Sequence, residues 1–83
     1  MARKTVVDTA YTQINTNETS YLAQNLSDSK VYVVINATLP ALSTAHDFVL
    51  KGGDAIGSSD VQGLVWAKVE VGSPDVQMGI VEG

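Results

Sequence analysis

Apolar and polar residues alternate along much of this chain with a period of two, which is the period of a β-strand. The clearest case is the segment 64–71, where a valine-rich set of alternate positions is interleaved with a set that contains Trp66, Lys68 and Glu70. The valine-rich side is predicted to face the core. In the last segment, Val76, Met78 and Ile80 define an inner face by the same spacing.

Turn-forming residues separate these segments at short intervals and indicate six or seven strands. The predicted strands cover residues 10–15, 20–24, 30–37, 47–51, 54–56, 64–71 and 76–80. The first two are predicted to form a hairpin. The third contains the continuous apolar run 31–35 and is expected to be the central strand. Residues 38–46 are expected to form a loop, with at most one helical turn, that crosses from one sheet to the other.

This pattern indicates an all-β fold: a small single-domain antiparallel sandwich or partly closed barrel of about six to seven strands. Helical periodicity of 3.6 residues is absent from the sequence. Residues 10–83 are assigned to one β domain. Residues 1–9 are assigned to an N-terminal arm whose order depends on a partner.

Composition and charge narrow the classes of partner. The 83-residue chain is 45% hydrophobic and 17% charged, and its formal net charge is −4. From Thr5 onward three lysines stand against nine acids, which gives −6. Such a body repels phosphate backbones, so no nucleic-acid partner is expected. A short, apolar, weakly charged chain gains stability by self-association or docking, and a homo-oligomer is expected.

The sequence offers little for catalysis, cofactor binding or metal binding. It has no cysteine and one histidine, His46, which lies beside Asp47 and near Ser43 and Thr44. Neighbours on one loop do not normally form a catalytic triad, and a zinc site needs about three protein ligands. No enzyme, cofactor or metal site is therefore expected. No membrane association is expected either, because the run 31–35 is far shorter than the ~20 residues of a membrane helix.

Five residues are candidates for contact with a partner. Arg3 and Lys4, with the neighbouring Val6 and Val7, belong to the arm, which either docks on an acidic neighbour or is a solvated tail. Trp66 alternates with charged residues rather than with the valines. Its ring either packs in the core or anchors an interface.

A series of short motifs spans residues 10–82. In chain order they are Ala10-Tyr11-Thr12-Gln13-Ile14, Tyr21-Leu22-Ala23-Gln24-Asn25, Val31-Tyr32-Val33-Val34, Phe48-Val49-Leu50 with Gly53-Asp54-Ala55, and Leu64-Val65-Trp66-Ala67-Lys68. This order resembles that of small structural proteins of tailed bacteriophages. In that type a glutamate often follows the glycine at the position of Asp54.

The resemblance implies a non-enzymatic virion protein, made in the host cytoplasm, that decorates or cements the capsid shell by bridging capsomers. Its partners would be the major capsid protein or other virion proteins, and trimers are a common arrangement. A tail-fibre, tail-tip or adaptor-associated module is the alternative that the resemblance leaves open. A carbohydrate-binding β module, which would use Trp66 and the tyrosines as stacking platforms, is a further hypothesis from the residues.

Overall fold

The computed structural model of the protein describes residues 2–83, and Met1, the first residue of the predicted arm, lies outside them. The described chain is all β and contains no helix. Its eight strands are β1 (Ala2–Val6), β2 (Thr12–Gln13), β3 (Tyr21–Asn25), β4 (Val31–Ile35), β5 (Phe48–Leu50), β6 (Ala55–Gly57), β7 (Val65–Val69) and β8 (Val76–Glu82). The all-β prediction is therefore confirmed.

The strands form two four-stranded sheets packed as a small sandwich. Sheet A has the order β1-β8-β3-β6 and sheet B has the order β2-β7-β4-β5. Every strand pair is antiparallel. As predicted, the apolar strand β4 is central, since it lies between β7 and β5.

The core lies between the sheets and is built from the faces that the alternation predicts. In sheet B, Val65, Ala67 and Val69 are fully buried, and in sheet A the face that contains Val76, Met78 and Ile80 meets them. Side chains of paired residues in neighbouring strands share a face, so the register carries this pattern across each sheet. The valine-rich side of 64–71 therefore faces the core, as expected.

Two predicted connections differ from the structure. Segments 10–15 and 20–24 do not form a hairpin, because β2 pairs with β7 in sheet B whereas β3 pairs with β8 and β6 in sheet A. The loop 38–46 does not cross between sheets, because it joins β4 to β5 within sheet B. The crossing occurs at residues 51–54 instead, where Gly53 adopts a φ of 85° that favours glycine.

The buried side chain of Asn15 accounts for the missing hairpin. Its Oδ1 accepts a 2.7 Å hydrogen bond from the backbone N–H of Val65, and its Nδ2 donates to the carbonyl oxygens of Gly63 and Asn17. These bonds tie the end of β2 to the start of β7. The next residues then cross to sheet A, where β3 begins at Tyr21.

The N-terminal segment is also different from the expectation. Residues Ala2–Val6 form the edge strand β1, which pairs with β8 along its whole length. Val6 is fully buried in the core, and the carbonyl oxygen of Val7 accepts a hydrogen bond from the N–H of Val69. The segment is therefore part of sheet A and of the core rather than an arm that projects from the β domain.

Candidate interaction surfaces

Arg3 and Lys4 project from opposite faces of β1. Lys4 is paired with Met78, whose side chain is buried between the sheets, so Lys4 lies on the inner side of sheet A. Arg3 is paired with Gly79 and lies on the outer side. Both side chains are exposed. The two bases therefore place positive charge on both faces of one sheet edge.

Lys4 lines an open cleft of about 440 Å³ at this side of the sandwich. The buried side chains of Ile14 and Ile80 also line it, together with Thr16 and Glu82. The cleft exists because β2, the edge strand of sheet B, has two residues whereas β1, the edge strand of sheet A on this side, has five. Sheet B therefore leaves part of the inner face of β1 uncovered.

The carboxylate of Glu82 belongs to the lining of this cleft and holds the β2–β3 connection. It accepts hydrogen bonds from the Thr16 backbone N–H at 2.6 Å and from the Thr16 hydroxyl at 2.7 Å. The bond from the hydroxyl is the main cause that lowers the pKa of Glu82, followed by the backbone bond, and the positive charge of Lys4 adds to the effect. Glu82 is therefore held in its ionised form.

The side chains of Val6 and Val7 are less accessible than those of the two bases. Val6 has no exposed surface, and Val7 is half-buried with its carbonyl oxygen already bonded. Of the four candidates in the predicted arm, Arg3 and Lys4 are thus the two with exposed side chains.

Trp66 lies on the outer side of sheet B but is only 9% exposed. It packs with Tyr11 and Val34 in a small apolar cluster outside the main core. Its indole Nε1–H donates a 2.8 Å hydrogen bond to the carbonyl oxygen of Asn36. The alternation of Trp66 with polar residues correctly predicts its face, but the ring is covered rather than presented to solvent.

The covering element is the β4–β5 loop, residues 36–47. The Tyr11 hydroxyl donates a 2.8 Å hydrogen bond to the Thr44 carbonyl oxygen, and Lys68 Nζ donates to the Leu42 carbonyl oxygen at 3.1 Å. Lys68 Nζ also lies 5.3 Å from the centroid of the Tyr11 ring. Side chains of sheet B thus fix the backbone of this loop over the sheet.

His46 also belongs to this loop, and its ring lies 4.6 Å from the ring of Tyr32, centroid to centroid. The side chain is exposed, as expected for a loop histidine. Within residues 2–83, no three histidine or carboxylate side chains are grouped so that they could hold a metal ion. The same residues contain no helix with the length and apolar character required to cross a bilayer.

The outer face of sheet A carries an apolar pair at its centre. Leu22 of β3 and Val81 of β8 are paired in register, and about half of each side chain is exposed, 52% and 51%. Gly79 and Gly57 occupy neighbouring outward positions and leave the surface beside the pair flat. The outward strand residues of this face are Arg3, Thr5, Leu22, Gln24, Ala55, Gly57, Gln77, Gly79 and Val81.

No acid is found among those outward positions, although the chain has nine acids. Other exposed apolar residues occur on the β4–β5 loop, at Leu39 and Leu42, and on β5, at Phe48 and Val49. Phe48 and Val49 are consecutive in a strand and so point to opposite faces. The Leu22–Val81 pair is therefore distinguished by two apolar side chains that share one flat, acid-free face.

The sequence pattern does not single out this face as an interaction surface. The alternation in Tyr21–Asn25 places Leu22 opposite the inward residues, and the alternation around Ile80 does the same for Val81. That signal was available. What the sequence could not supply is that β3 and β8 are neighbours, which brings the two side chains together.

Comparison with protein-family models, with curated proteins and with solved structures finds no match to this chain. The surfaces described above and the order of the sequence motifs are therefore the features that bear on its function.

Proposed function

We propose that this protein is a non-enzymatic structural component of a tailed-bacteriophage particle, which decorates or cements the capsid shell by bridging capsomers. The major capsid protein is the proposed partner, and the virion is the proposed location. The order of motifs between residues 10 and 82 supports the class of protein. The observation that carries the proposal is the flat, acid-free face of sheet A with the paired side chains Leu22 and Val81.

This face suits docking on another protein. Burying the exposed half of Leu22 and of Val81 contributes about 1 kcal/mol for each residue. Two polar amides, Gln24 and Gln77, lie on the same face and can form hydrogen bonds at the rim of an interface. Because the face has no acid, a partner can approach it without the repulsion that the rest of this acidic chain exerts on negative groups.

A cement protein must contact more than one neighbour, and the structure offers a second accessible surface. The edge of β1 carries Arg3 and Lys4 and lies at the border of sheet A. Contacts at the sheet face and at this edge would join two capsomers through one small domain. Binding to the assembled shell and not to free subunits would stabilise the shell by mass action.

Self-association is part of the proposal, with trimers as the arrangement that the resemblance implies. Sedimentation equilibrium of the purified protein tests it. A monomer at all concentrations would contradict self-association in solution and leave the shell as the site where copies meet. A trimer that dissociates in the variant Leu22→Ser/Val81→Ser would place the copy-to-copy contact on the sheet face.

The main experiment adds the purified protein to capsids and, separately, to isolated tails, and quantifies bound copies after sedimentation. Saturation at a copy number that follows the capsomer lattice, with a shell more resistant to heat, is expected. The variant Leu22→Ser/Val81→Ser should bind capsids less tightly while its far-UV circular dichroism stays unchanged. Val71→Ser, at a 78% exposed valine outside the sheet face, is the matched control and should bind like the parent protein.

Two results would overturn the proposal. The first is failure of the parent protein to bind capsids. The second is unchanged binding of Leu22→Ser/Val81→Ser, which would remove the sheet face from the interface. Binding confined to tails would instead favour the alternative of a tail-fibre, tail-tip or adaptor-associated module. The carbohydrate-binding hypothesis gains little support from the geometry, because Trp66, Tyr11 and Tyr21 are buried and Tyr32 is half-buried.

A further inference from the structure

We propose that the free edge of β1 receives an extended, acidic segment of a partner protein as an added β-strand. The inference rests on the proposed function only in taking the partner to be another protein. Three features of the edge carry it: its unpaired side, the cleft beside it and its charge.

The first feature is the position of β1 in its sheet. β1 is the outermost strand of sheet A, and β8 pairs with one side of it only. At Val7 the chain leaves this edge and bonds to Val69 of sheet B, so the open side extends over residues 2–5. Open strand edges present backbone N–H and C=O groups that an extended peptide can pair with.

The second feature is the cleft beneath this edge. Side chains of an added strand would alternate between the two faces of sheet A. Those on the inner side would lie over the cleft of about 440 Å³, which Ile14 and Ile80 line. In strand addition the backbone bonds supply affinity and such a pocket supplies specificity for alternate side chains. The inward residues of the partner segment should therefore be apolar.

The third feature is charge. Arg3 lies on the outer side of β1 and Lys4 on its inner side, and the first seven residues contain no acid. An added strand would meet a base on each face. Glu82 is the acid beside Lys4, and because the bonds from Thr16 keep its carboxylate ionised, it offsets one of the two positive charges. The edge as a whole is thus basic and complements an acidic segment.

The opposite edge of sheet A differs from β1 in these features. At β6, the N–H of Gly57 donates to the Asp60 carboxylate, and the carbonyl oxygen of Gly57 accepts from the N–H groups of Asp60 and Val61. The edge is flanked by Asp54 and Asp60. Its backbone groups are partly occupied and its charge is negative, so it repels the segment that β1 attracts.

The test is a titration of the isotope-labelled protein with a short capped peptide in which glutamate and valine alternate, followed by amide NMR. We expect saturable shifts at Ala2–Val6 and no shifts at Ala55–Gly57. A peptide in which lysine replaces glutamate should not bind. Methylation of alternate backbone nitrogens on the pairing side should also abolish binding, because it removes the donors of the added strand.

Charge reversal in the protein gives the second arm of the experiment. Arg3→Glu/Lys4→Glu should weaken binding of the glutamate peptide about fivefold, which corresponds to the one exposed charge pair that its outward glutamates form with Arg3. Lys30→Glu/Lys51→Glu changes the net charge equally at exposed positions away from β1 and should leave the affinity unchanged. If the first variant loses β1 altogether, the comparison of glutamate and lysine peptides on the parent protein still decides the question.

The inference is overturned if no saturable shift of the β1 amides appears up to about 1 mM peptide, which is a free energy of about −4 kcal/mol. It is also overturned if the lysine peptide binds equally or if the shifts occur at β6. No capsid is used, so this result is independent of the proposed function. Peptide binding without capsid binding would leave the strand-accepting edge intact and assign it to a different protein partner.

Discussion

The side-chain nitrogen of Asn25, at the end of β3 in sheet A, donates a 3.0 Å hydrogen bond to the carbonyl oxygen of Leu50 in β5 of sheet B. The same nitrogen donates to the carbonyl oxygen of Ser29, and Oδ1 accepts from both the backbone N–H and the hydroxyl of Ser27. Asn25 is fully buried. One amide therefore links the two sheets and shapes the turn that follows β3.

Replacing this amide should cost considerable stability. Asn25→Ala removes four hydrogen bonds and leaves the carbonyl oxygens of Ser29 and Leu50 without these donors, so the free energy of unfolding should fall by about 3 kcal/mol. Urea denaturation measures the change. Asn36→Ala, which removes an exposed local bond to Thr38, should cost less than about 0.5 kcal/mol. Equal losses in the two variants would contradict this role of Asn25.

The indole N–H of Trp66 should control the mobility of the β4–β5 loop. Trp66→Phe keeps an aromatic ring but loses the bond to the Asn36 carbonyl oxygen, so stability should fall by about 1 kcal/mol. Amide hydrogen exchange in residues 36–47 should become faster, whereas exchange in β8 should change only as much as the loss of global stability requires. Tyr32→Phe, which keeps the ring that lies against His46, is the control. Unchanged exchange in the loop of Trp66→Phe would refute the tether.

Glu82 should contribute to stability at neutral pH and not in acid. Its pKa is lowered in the folded protein, mainly by the Thr16 hydroxyl, from a reference value of 4.5. A lowered pKa gives stability that is present above the unfolded pKa and lost as the pH falls through the folded pKa. Glu82→Gln should therefore be less stable than the parent at pH 7 and converge with it in acid. Urea unfolding of both proteins from acidic pH to pH 7 measures this difference in stability. Glu70→Gln is the control and should lose stability in acid as the parent protein does.

Tyr21 should contribute to stability at neutral pH and lose this contribution at alkaline pH. Its hydroxyl donates a 2.6 Å bond to the Val61 carbonyl oxygen, and burial, followed by the charge of Asp60, raises its pKa above 10.0. A raised pKa gives stability that is present below the unfolded pKa, here about 10, and lost as the pH rises through the folded value. Tyr21→Phe should reduce this loss, whereas Tyr32→Phe should retain it. An alkaline limb that is the same in all three proteins would contradict the assignment.

Several features of the fold follow from local sequence. The alternation in 64–71 and 76–80 predicts the inner faces of β7 and β8, and the structure buries Val65, Val69 and Met78 as expected. The continuous apolar run 31–35 predicts a central strand, and β4 is central. These predictions succeed because a period of two and an uninterrupted apolar run depend only on neighbours in sequence.

The pairing of strands does not follow from local sequence. Residues 10–15 and 20–24 are separated by turn-forming residues, a pattern typical of a hairpin. In the structure, however, the buried amide of Asn15 bonds to Gly63 and Val65, about fifty residues away, and directs β2 to sheet B. An asparagine in a polar stretch is typical of a turn. Only the folded chain shows that its side chain replaces strand-to-strand backbone bonds in the interior.

The candidate surfaces likewise combine features that local sequence predicts with features that depend on strand pairing. Spacing and composition predict that the domain is all β, that Val65, Ala67 and Val69 face inward, and that Arg3 and Lys4 precede a body in which acids outnumber bases. The folded chain shows in addition that the N-terminal segment is a paired edge strand and that Trp66 is covered by the β4–β5 loop. It also brought Leu22 and Val81 together, because contacts between residues distant in sequence depend on which strands become neighbours.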